Sequence, residues 1–152
     1  MQVIHFRNDV RRSGVDGRAL VSTARRLLGA MGESGALSLT LIGDEAMRAL
    51  NRDYRGKDAP TDVLSFPMDA PGAPAGGERL LGDVVISVDT ARRQAADYDA
   101  PLQDEIYRLL IHGLLHLTGH DHMLADQRRA MELQERRLAD LIALPWPYAA
   151  KA

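Results

Sequence analysis

The sequence predicts an α/β (α+β) fold, a small mixed sheet of about four strands covered by about five helices in a single domain over 1–152. Strand-like runs alternate with amphipathic helical runs along the chain, the pattern of one sheet with helices on its faces. At 152 residues, with 45% hydrophobic and 26% charged side chains, the chain has the length and composition of one ordinary core. No internal repeat marks a second unit.

The elements follow in order. Residues 2–7, QVIHFR, alternate loosely and form a first strand. Val15, Leu20, Ala24, Leu27, Leu28 and Met31 recur near helical spacing, so a helix is expected over 16–31, capped by Asp16 and closed by Gly32 and Gly35. In LSLTLI at 37–42, Leu37, Leu39 and Leu41 share one face of a strand. Asp44 is expected to cap a helix that reaches Tyr54 and buries Met47 and Leu50; Gly56 stops it. TDVLSF at 61–66 is rich in strand formers and is ended by Pro67, which has no amide donor.

Residues 69–77, DAPGAPAGG, have no periodicity that buries a face and are expected to be a flexible loop. LLGDVVIS at 80–87 is a strand, and Asp89 is expected to cap a helix to Tyr98. Leu102, Ile106, Leu109, Leu110, Leu114 and Leu117 recur in steps that describe an amphipathic helix over 101–118, ended by Gly119. A last helix is expected over 126–144, with Met131, Leu133, Leu138 and Leu141 as its apolar positions and Pro145 and Pro147 beyond it.

Composition excludes several functions. There is no cysteine, hence no disulfide and no thiolate metal site, so a bound metal must rest on His, Asp, Glu, backbone or water. No apolar run approaches the roughly 18 residues of a spanning helix, and the start lacks a signal-peptide pattern; a cytoplasmic protein without membrane contact is expected. A net charge of −2 makes no global case for nucleic acid, so any polyanion site must be local. Arg48, Arg52, Arg55 and Lys57 are the nearest thing to one, although Asp44, Glu45, Asp53 and Asp58 are interleaved with them, as on an ordinary solvated helix face.

Four of the five histidines fall in HGLLHLTGHDH at 112–122. His112 and His116 project from one helical face a turn apart, within reach of one ion. Gly119 can turn the chain so that His122 returns to that ion; His120 is the competing third ligand if the helix continues. Three imidazoles with an open fourth position is the arrangement of catalytic zinc, so one Zn2+ per chain is expected. The spacing also matches the metzincin peptidase run HExxHxxGxxH, except that Gly113 stands where the general-base glutamate would be, which argues against a peptidase.

HGLLHLTGHDH, together with LNRDYRGKDAPTDVLSFP at 50–67 and LLGDVVIS, resembles the YbeY family of bacterial endoribonucleases and rRNA maturation factors. The resemblance covers most of the chain outside 69–77 and the ends. It implies metal ligation by His112, His116 and His122, a catalytic and substrate-binding Arg55, and single-strand-specific RNA cleavage in small-subunit rRNA 3′-end maturation and ribosome quality control. Implied partners are RNA, chiefly ribosomal RNA, and the small ribosomal subunit.

A three-histidine zinc lowers the pKa of bound water towards about 7, so a metal-activated water is the expected nucleophile, with Arg55 meeting charge on the phosphate. Asp62, Ser65 and Asp121 are weighed as orienting or turn residues and not as catalytic ones. Two other readings stand beside this one: a noncatalytic ribosome-assembly factor with a structural zinc, and a metzincin-like metallohydrolase lacking the usual glutamate.

Overall fold

The computed structural model describes residues 2–68, 80–120 and 123–146. Its elements run β1 (Gln2–Asn8), α1 (Gly17–Ala30), β2 (Gly35–Ile42), α2 (Asp44–Arg55), β3 (Val63–Pro67), β4 (Leu80–Ser87), α3 (Val88–Asp97), α4 (Leu102–Leu117) and α5 (Ala125–Leu141). Four strands and five helices in one mixed sheet are as expected from the sequence, whereas the loop expected at 69–77 lies outside the described residues.

The sheet order is β1-β2-β4-β3, with β1, β2 and β4 parallel and β3 antiparallel to β4 at one edge. Alternation along the strands divides the interior. Leu37, Leu39 and Leu41 of β2 and Val84 and Ile86 of β4 face a large cluster completed by α1, α3, α4 and α5. On the other face Ile42, Leu64 and Val85 pack with Met47 of α2, and Leu50 and Phe66 close around them. No helix among the described residues is long and apolar enough to cross a membrane.

Several local expectations are corrected. Asp16 caps α1 as read, accepting from the Ala19 N–H, but Asp44 is the first residue of α2 and not its cap. The cap of α3 is Ser87 rather than Asp89. The two carboxylates act across elements instead: Asp89 accepts from the Asp44 backbone N–H at 2.8 Å, and Asp44 accepts from Ser87 Oγ at 2.7 Å. These bonds satisfy groups that sequence-local capping would leave open. β3 starts at Val63, whose N–H donates to the Asp62 carboxylate at 2.7 Å. α5 ends at Leu141, three residues early, and Ala143 adopts a left-handed φ of 55°. Leu133 and Leu141 are exposed, so the buried stripe of α5 is carried by Met131, Leu138 and Ala139.

Asp44 is held by more than one partner. Burial pushes its carboxyl upward, but hydrogen bonds from Thr90, Arg93 and Ser87 outweigh this and hold it below its ordinary 3.8. A depressed folded-state pKa stabilises the fold above the unfolded value and loses that stabilisation as pH falls through the folded one. Asp44→Ala should therefore cost about 1–3 kcal/mol at neutral pH. The difference from the parent chain should shrink below about pH 4 in urea unfolding at a series of pH values; a difference independent of pH would remove the charge from the explanation.

One ion pair is fully enclosed. Glu105 and Arg108 of α4 are 0% and 2% exposed, 3.2 Å apart, and Arg108 also donates to the Pro145 carbonyl through Nε at 3.1 Å and Nη2 at 2.8 Å. The segment after α5 is thereby tied to the middle of α4.

Candidate metal centre

Helix α4 carries the histidine pair because its apolar residues commit its other face to the sheet. Ile106, Leu110 and Leu114 are fully buried, which leaves His112 and His116, half-buried, turned toward a groove along β3. The two rings meet edge to face with centroids 4.5 Å apart, and their Nε2 atoms are 3.0 Å apart. Two nitrogens bound tetrahedrally to one zinc at about 2.0–2.1 Å stand roughly 3.3 Å apart, so this pair fits the ion with a small outward swing. Imidazole nitrogen is also a donor type that zinc favours.

No third His, Cys, Asp or Glu completes a metal set among the described residues. His122 and Asp121 lie outside them. Gly119 follows α4 with a φ of 96°, the left-handed turn expected there. His120 donates its backbone N–H to the Leu115 carbonyl and does not line the groove.

Gly113 has a packing role. A Cβ there would lie 2.9 Å from Val84 Cγ1 and 3.2 Å from Ser65 Oγ, so only glycine lets α4 approach the sheet this closely. Ser65 Oγ uses the proximity to donate to the Gly113 carbonyl at 3.1 Å. Position 113 faces β4 and β3, and a glutamate of the peptidase type has no room at it.

The groove has a volume of about 440 Å³ and is lined by Arg55, residues 61–65, Pro67, His112 and His116. Arg55 arrives from the last turn of α2. The segment beyond folds back on that helix, since Asn51 Nδ2 donates to the Ala59 carbonyl at 2.8 Å and Arg48 forms a two-pronged pair with Asp58 at 2.8 and 2.9 Å. These contacts also sort the basic cluster. Arg48 is neutralised by Asp58 and Arg52 by Asp53, whereas Arg55 is exposed and makes no ion pair with another described residue. Among the described residues Asp62 is held by Val63 N–H and, at 3.3 Å, by Gln94 Nε2.

One group beside the site escaped the sequence reading. Glu135 of α5 places Oε2 3.9 Å from Nδ1 of His112. A signal existed, because Glu135 lies four residues after Met131 and three before Leu138, on the buried stripe of its helix where a carboxylate is out of place.

Comparison with known proteins sets this geometry in a family. The family described as Endoribonuclease YbeY matches residues 7–143. The chain belongs to that family. Endoribonuclease YbeY of Halorhodospira halophila is 43% identical over 120 residues, covering 78% of each chain. The YbeY of Moorella thermoacetica is 45% identical over 135 residues, 80% of this chain and 86% of that one. A Thermotoga maritima protein solved in solution shares the fold at a TM-score of 0.59 and 19% identity, over 93% of this chain and 92% of that one.

Proposed function

We propose that this YbeY-family chain is a single-strand-specific, zinc-dependent endoribonuclease acting in small-subunit rRNA 3′-end maturation and in ribosome quality control. Family membership makes the chain an RNA-cleaving hydrolase. The observation that carries the finer reading is that one groove holds both the converging Nε2 atoms of His112 and His116 and the guanidinium of Arg55, which no carboxylate among the described residues neutralises.

His112, His116 and His122 would hold the ion. When bound, zinc supplies Lewis acidity to a water and to a phosphoryl oxygen. Arg55 contributes a planar fork of donors that meets two phosphate oxygens together and gains strength as their charge grows in the transition state. Water attacks phosphorus, the bond to O3′ breaks, and the leaving oxygen takes up a proton. The groove volume is at the low end of the roughly 300–1,000 Å³ of ligand sites, a size that suits a nucleotide or two.

Arg55→Ala should keep the fold and the metal while RNA cleavage falls by at least about tenfold, or about 1.4 kcal/mol of transition-state stabilisation. Single-turnover rates on single-stranded RNA measure this, and an unchanged rate removes Arg55 from the mechanism. Fragments of the parent reaction should carry 5′-phosphate and 3′-hydroxyl ends. A 2′,3′-cyclic phosphate would mean that the ribose hydroxyl, and not water, attacks.

A further inference from the structure

We propose that Glu135 is a positioning residue for His112, holding the imidazole from its Nδ1 side so that Nε2 stays turned toward the metal. The inference rests on the zinc reading of the groove and extends it to a helix that contributes nothing to the histidine run.

The two nitrogens of His112 face opposite partners. Nε2 is 3.0 Å from Nε2 of His116, whereas Nδ1 is 3.9 Å from Oε2 of Glu135. Ligation through Nε2 requires its lone pair to be free, which puts the ring proton on Nδ1. That proton needs an acceptor, and a carboxylate is the strongest one a protein offers. The present separation of 3.9 Å exceeds a hydrogen bond of about 2.7–3.2 Å, so the contact would have to shorten by roughly 1 Å when the ring carries its Nδ1 proton.

The placement of Glu135 makes a second, independent point. Its side chain is 14% exposed, on the stripe that packs α5 toward α4, and a carboxylate withdrawn from water is costly unless something compensates it. Among the described residues the one ion-pair partner the structure gives it is His112. A solvated role would place this charge on the outer face of α5, where Glu132 lies.

Zinc affinity measured by chelator competition tests the assignment without recourse to activity. Glu135→Ala and Glu135→Leu should each bind zinc about 10- to 100-fold more weakly than the parent chain. Leucine suits the apolar stripe between Met131 and Leu138, so it keeps α5 docked even where alanine does not. Glu135→Gln, which retains an acceptor oxygen, should recover part of the loss. In a His112→Ala background, Glu135→Leu should change affinity by less than about threefold, because the carboxylate acts through that ring. Parental affinity in Glu135→Leu overturns the proposal, and so does an undiminished loss in the His112→Ala background. If the parent chain binds no zinc, or binds it equally well as His112→Ala, the zinc reading itself fails, and the two failures are told apart in the same titration.

Discussion

Purified His116→Ala protein should carry less than about a tenth of the parent's zinc and cleave RNA at least about a thousandfold more slowly. Even the groups that merely orient a ligand are typically worth 10- to 100-fold in metal affinity, and removing the ligand removes the bond. The fold should persist. His116 is half-buried at the rim of the groove, while α4 is anchored by Ile106, Leu110 and Leu114 on its opposite side. Metal analysis of the purified variant, with circular dichroism as the check on folding, decides the matter. A folded His116→Ala protein with full zinc content would leave the pairing of His112 and His116 without a metal role. Cleavage that survives in it at the parental rate would point to a contaminating ribonuclease or to chemistry elsewhere.

Arg108→Ala should destabilise the fold by about 3–5 kcal/mol. The loss takes the Arg108 guanidinium from an enclosed carboxylate and two donors from the Pro145 carbonyl. A chain of this length should lose roughly 6–20 °C in Tm, at about 2–4 °C per kcal/mol. Replacing both partners together, Glu105→Gln with Arg108→Met, should be milder, because the double change removes the enclosed charge along with its guanidinium partner. Urea unfolding of the single and double variants measures the difference. Equal destabilisation by both would mean that packing volume, and not charge, governs the site.

What the sequence made legible was whatever its local periodicity encodes. The six apolar positions of α4 set that helix in place, and the i, i+4 spacing then put His112 and His116 on one face without knowledge of the rest of the chain. Arg55 was singled out by the family resemblance alone. The structural reason it differs from Arg48 and Arg52 is that Asp58 and Asp53 pair with them, contacts that depend on how the chain leaves α2. Nothing in the local sequence marks Glu105 and Arg108 as an enclosed pair, because the contact of Arg108 with the Pro145 carbonyl spans 37 positions. The caps of α2 and α3 were misassigned for the same reason. Asp44 and Asp89 are 45 positions apart, and the bond from the Asp44 N–H to the Asp89 carboxylate exists only once β2 and β4 lie side by side. Leu133 looks like a core residue by hydropathy but lies off the stripe that Met131 and Leu138 define.

The contact at Gly113 also constrains the evolutionary paths open to this scaffold. The histidine run differs from the peptidase run HExxHxxGxxH at one position, which suggests that a single codon separates two chemistries. The separation is larger in practice. Any side chain at 113 meets Val84 Cγ1 at 2.9 Å, inside van der Waals contact, before its charge can matter. A glutamate becomes tolerable only after Val84 has shrunk or α4 has lifted from the sheet, and either change alone weakens a core that works as it stands. A chain with a shrunken Val84 alone would carry a cavity under α4, and it gains nothing until the second change arrives.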